Sequence, residues 1–103
     1  MRTPSRKILG AMVAEAVVDC WDDDEQRSGL LAMVEEHLAL PFATVVLGVP
    51  VMVEAIVTGD DGGILAVCVA GPHRQAVGLL DLPLPDPAPE GAEWIAAYRL
   101  WVG

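Results

Sequence analysis

Leu30-Leu31-Ala32-Met33-Val34-Glu35-Glu36-His37-Leu38-Ala39-Leu40-Pro41-Phe42-Ala43-Thr44-Val45-Val46-Leu47 decides the class of fold. Up to Leu38, the residues Leu30, Leu31, Val34 and Leu38 recur at three-and-four spacing, the period of a helix that buries one face. Pro41 pushes Leu40 out of helical geometry. From Phe42 onward the chain is apolar and β-branched, which favours strand over helix. A helical part followed by a run of strands predicts an α+β domain.

Upstream, Asp22 and Glu25 stand at capping-box spacing and predict the start of the helix just described. Before them, Ile8, Leu9, Met12, Val13, Ala16, Val17, Cys20 and Trp21 keep a helical period behind Pro4 and Ser5, so a first amphipathic helix is predicted from about residue 6 to 20. The two segments can equally be one helix kinked at the acids. Downstream, residues 43–47, 51–57 and 64–70 read as strands, divided by Gly48-Val49-Pro50 and by Gly59-Asp60-Asp61-Gly62-Gly63, the second break being a hairpin turn. Residues 75–80 and 82–84 supply short fourth and fifth strands before Pro83, Pro85, Pro87 and Pro89 end the sheet. About five short strands so closely spaced argue for a small barrel or curled sheet. Trp94, Ile95, Tyr98, Leu100 and Trp101 then predict a C-terminal helix over 90–102 that packs back on the barrel. The expected organisation is one domain, 1–103, with a helical part over 6–40 and a barrel over 42–86.

Composition narrows the function. The 103 residues are 53% hydrophobic and 20% charged, which argues against disorder. Six Lys and Arg against 15 Asp and Glu give a net charge of -9, the wrong sign for neutralising phosphates, so neither nucleic acid nor an anionic membrane is expected as partner. No apolar run reaches the roughly 20 residues of a spanning helix. Arg2, Arg6 and Lys7 precede an apolar stretch, but Glu15 and Asp19 interrupt it before a signal-peptide core is complete. Cys20 and Cys68 form no metal-binding pair and read as small buried hydrophobes in a reducing cytoplasm. His37 and His73 are isolated surface residues, and no nucleophile elbow or phosphate loop is present, so no enzyme is expected. Trp21, Trp94 and Trp101 are expected to fill the core or the seam between helices and barrel.

What remains is carboxylate chemistry. Asp22, Asp23, Asp24 and Glu25 are adjacent, and capping a helix needs at most two of them. The others repel each other unless a cation or a basic partner relieves them. Carboxylate oxygens suit Ca²⁺. Asp24, Gln26, Ser28, Gly29 and Glu35 fall at EF-hand positions, but Gln and Ser are poor substitutes for the usual acids, and the apolar stripe fits a continuous helix better. Glu25, Gly29, Ala32 and Glu36 share one helix face whose small residues admit a close neighbour or an ion.

Val18-Asp19-Cys20-Trp21-Asp22 through Arg27-Ser28-Gly29-Leu30, then Glu35-Glu36-His37-Leu38 and Leu40-Pro41-Phe42, resemble the small acidic calcium-binding family known as CcbP. Ala76-Val77-Gly78-Leu79-Leu80-Asp81-Leu82 and the closing 94–102 extend the likeness. The resemblance implies an SH3-like β-barrel carrying N-terminal helices, with Ca²⁺ held by surface carboxylates. Where the family has a long acidic turn between its second and third strands, this chain has only Gly59-Asp60-Asp61-Gly62-Gly63, so a weaker site is expected, about 10⁻⁵ M or poorer. The candidate ligands are Asp22, Asp24, Glu35, Glu36, Asp60 and Asp61. The competing expectation is an interaction module whose acids steer it toward a basic protein partner. A homodimer through the apolar surface is the third.

Overall fold

The computed structural model describes residues 4–103; Arg2, counted above with the basic N-terminal residues, lies outside them. Among the described residues there are three α-helices, α1 (Arg6–Ala16), α2 (Asp23–His37) and α3 (Glu93–Val102), and four strands, β1 (Phe42–Val46), β2 (Val49–Thr58), β3 (Ile64–Ala70) and β4 (His73–Gly78). A short 3₁₀ helix, Leu79–Asp81, follows β4. The class is α+β.

α1 begins where the Ser5 hydroxyl accepts the Ile8 amide at 3.3 Å. It ends at Ala16, earlier than the periodicity predicts, because residues 17–19 form a turn with Asp19 in left-handed geometry at φ 64°. The two N-terminal segments are therefore separate helices. α2 is continuous to His37, and its stripe works as expected: Leu30, Val34 and Leu38 are buried. Full burial of such a side chain contributes about 1.5–3 kcal/mol.

The sheet is antiparallel in the order β1-β2-β3-β4. β1 and β2 pair from Phe42↔Val53 to Val46↔Val49, so the turn is Leu47-Gly48 and not Gly48-Val49-Pro50. Both turn residues have positive φ, 50° and 78°, as a two-residue hairpin requires. Pro50 is thus inside a strand, but β2 pairs with β3 only from Met52 onward, so its missing N–H interrupts no second ladder.

A fifth strand over 82–84, and closure into a five-stranded SH3-like barrel, are not seen among the described residues: β1 and β4 end the order without pairing to each other. The segment nonetheless lies beside β1, because the buried Thr44 hydroxyl donates to the Pro83 carbonyl at 2.6 Å. Pro83 and Pro85 have no N–H to give a ladder. One core cluster joins Leu9 and Ala16 of α1, the α2 stripe, Val53 and Ile56 of β2, Ile64, Ala66 and Cys68 of β3, and Trp94, Ile95, Ala97 and Tyr98 of α3. Trp94 joins that core, whereas Trp21 is 89% exposed and corrects the expectation that it fills core or seam. It stands in the loop left by the early end of α1. Among the described residues no helix is long and apolar enough to cross a membrane.

Candidate metal site

The acidic run divides by task once α2 is in place. Asp22 is the N-cap, and its Oδ1 accepts the Glu25 amide at 2.8 Å, while Glu25 Oε2 accepts the Trp21 amide at 3.1 Å. Asp22 satisfies a backbone donor that the first helical turn would leave open, and Glu25 ties down the residue before the cap. Asp23 and Asp24 are left to point elsewhere. Asp24 Oδ1 accepts from Arg27 Nη1 at 3.2 Å, the i,i+3 pairing that adjacent helix turns permit.

The β2–β3 turn comes up beside them. Gly59 and Gly63 close it through an amide–carbonyl bond of 2.7 Å, Asp61 Oδ1 accepts the Gly63 amide at 2.9 Å, and Gly62 turns the chain at φ 85°. Between this turn and the start of α2 lies an open cleft of about 440 Å³, lined by Asp24, Arg27, Ser28, Thr58, Asp60 and Asp61. A second cleft of about the same 440 Å³ is lined by Asp23, Arg27, Asp61, Tyr98 and Trp101. Arg27 and Asp61 border both. The Arg27 guanidinium also lies 5.5 Å from the centre of the Trp101 ring, and Trp101 Nε1 donates to Gln26 Oε1 at 3.0 Å.

Three of the six candidate ligands, Asp24, Asp60 and Asp61, therefore share a cleft. Asp22 is engaged as the cap. Glu35 and Glu36 are exposed in the last turns of α2, about 17 Å along the axis from Asp24 at 1.5 Å per residue, and do not line the cleft. The small-residue face that Gly29 shares with Glu25 and Glu36 meets a neighbour there, the backbone carbonyl of Ala16. Among the described residues, no three acidic, His or Cys side chains converge closely enough to hold an ion as they stand. Asp23, Arg27 and Trp101 were missed as neighbours of the site. The Asp24–Arg27 spacing was legible; the arrival of Trp101 from α3 was not.

Neither a family model nor a curated protein matches the chain. Among solved structures, the crystal structure of Anabaena CcbP superposes with a TM-score of 0.77 over 99% of this chain and 95% of that one. The fold is CcbP-like. With 17% sequence identity, the likeness speaks for the fold alone.

Proposed function

We propose that this protein is a non-enzymatic, low-affinity Ca²⁺ binder whose ion enters the cleft between the start of α2 and the β2–β3 turn. The observation that carries the reading is that Asp24, Asp60 and Asp61 line one open cleft. A net charge of -9 and the CcbP-like fold support it. Ca²⁺ prefers six to eight oxygens at 2.3–2.6 Å in flexible geometry. The three carboxylates fit that donor chemistry but not a finished cage, so the ion must draw the turn and Asp24 together, and the affinity falls at about 10⁻⁵ M or weaker. Free Cys20 and Cys68 suit a reducing cytoplasm as the place of action.

Calorimetric titration of metal-free protein with CaCl₂, paired with ¹⁵N shift mapping, tests the reading. Heat release with shifts centred on residues 22–28 and 58–63 is expected. No heat and no shift at millimolar Ca²⁺ removes it.

A second reading, an interaction module, has one observation of its own: Val45, Leu47 and Val49 are exposed around the β1–β2 turn, Leu47 to 98%. In that case the acids steer a basic protein partner or the hairpin joins a second copy, and binding to a basic partner weakens as salt rises, without any ion effect.

A further inference from the structure

We infer that a hollow at the hairpin end of the sheet is an interface between two copies of this chain, with Leu47 of each copy entering the hollow of the other; the inference deepens the second reading above and does not depend on calcium. The hollow measures about 290 Å³ and is lined by Val46, Val49 and Val51 of the first hairpin and by Cys68, His73 and Val77 of the second. Strand alternation sets Val49, Val51 and Val53 on one face of β2, and Val53, opposite Cys68, belongs to the core. The hollow is thus an extension of the core face, but no helix residue lines it.

Leu47 stands on the rim of this hollow, and neither the turn nor the core accounts for it. At φ 50° it holds the left-handed conformation that Asn, Asp and Gly take readily in such a turn and that leucine takes at a cost. Its side chain is 98% exposed, so burial within one copy returns nothing. One face therefore offers both a projection and a recess, which is what a two-fold contact needs, because each copy presents the same patch to the other. Charge points the same way. Two chains of net charge -9 repel each other, yet none of the 15 acids lines the hollow, so the copies meet where carboxylates are absent. The patch is a handful of residues against the roughly 20–30 a side of a standard interface, so the dimer is weak, with a Kd poorer than about 1 μM.

The test is analytical ultracentrifugation of the full chain in EDTA, from micromolar to millimolar protein, at low and at high NaCl. Wild type is expected to pass from monomer to dimer, and to do so more readily at high salt, where the like charges are screened. Leu47→Asn suits the turn better than leucine, so it should keep or raise the melting temperature while weakening self-association about tenfold or more, the loss expected of a central anchor. Val49→Lys, at a residue 51% exposed in the lining, should weaken it as well and preserves the test if the asparagine variant alters the turn. Val18→Asn, at an apolar residue 65% exposed that does not line the hollow, should stay within about twofold of wild type. A wild type that remains monomeric at millimolar concentration and high salt overturns the inference and leaves the interaction module to a foreign partner. Self-association that survives in both Leu47→Asn and Val49→Lys, that weakens as salt rises, or that grows past two copies where a two-fold contact closes, overturns it too.

Discussion

Gly29 of α2 lies against the backbone carbonyl of Ala16 so closely that a Cβ at position 29 would collide with it. The obstacle is main chain, at the point where α1 ends and its last carbonyls face outward, so it cannot swing aside as a side chain would. Gly29→Ala should therefore destabilise the protein by about 1–3 kcal/mol, the cost of overpacking, which outweighs the gain in helix propensity. Gly10, in the middle of α1, has no atom within 4 Å of such a Cβ, and Gly10→Ala should stabilise by about 0.5–1 kcal/mol. Urea midpoints moving in opposite directions at constant slope would confirm both; a shift of the same sign in each refutes the packing argument.

Asp22 and Asp23 are neighbours with unequal consequences. Asp22→Ala removes the acceptor for the Glu25 amide and should cost about 1 kcal/mol. Asp23→Ala removes only a charge near the helix N-terminus and should cost about 0.3–1 kcal/mol at low salt, fading as salt is added. Thermal unfolding in low and high NaCl separates the two.

Thr44→Val keeps the shape of a buried side chain and deletes its bond to the Pro83 carbonyl. The expected loss is about 0.5–1.5 kcal/mol, with faster amide exchange along β1 as the 82–84 segment loosens. Exchange unchanged in β1 would show that the segment is held by other contacts.

Ca²⁺ should raise thermal stability through Asp60 and not through Glu36. At one hundred times the dissociation constant, a ligand that binds only the folded chain adds about 2.7 kcal/mol. Asp60→Asn should abolish most of the resulting rise in melting temperature, and Glu36→Gln should preserve it. Loss in Glu36→Gln with retention in Asp60→Asn would move the site to the other end of α2.

Burial raises the Cys68 thiol above its ordinary value. A group whose folded value is raised contributes stability below the unfolded value, about 8.5, and loses it as pH climbs toward the folded one. Stability should thus fall with alkaline pH in the wild type, and less in Cys68→Ala after allowing for its lower starting stability. In the native protein, a thiol reagent at pH 8 should modify the half-buried Cys20 well before Cys68.

How much of this was legible in the chain follows from the range of the interactions. The α2 stripe and its Asp22 cap are set by residues within a few positions of one another, and the Leu30, Val34 and Leu38 pattern located them correctly. Strand 64–70 was found because Gly59–Gly63 and Gly71 punctuate it. The predicted first helix overruns α1 because Val17, Cys20 and Trp21 keep a helical period past Ala16, where the backbone leaves the helix for the turn that contains Asp19. The fifth strand failed on a local rule weighed too lightly, since a segment with Pro83 and Pro85 lacks the donors a ladder needs. At the candidate site, counting acids could not separate Glu35 and Glu36 from Asp60 and Asp61. Only the packing of α2 against β2 sets one pair along the cleft that Asp24 also lines and leaves the other outside it.

The Thr44–Pro83 contact bears on how the chain behaves in a crowded solution. An unshielded border strand invites a stranger's strand to zip onto it, the first step of swapping or fibril growth. Here a stretch studded with imino acids, which can accept hydrogen bonds but hardly donate them, is tied to β1 through the Thr44 hydroxyl. That makes the stretch itself a poor template for an added strand, through the same lack of donors that keeps it out of the sheet.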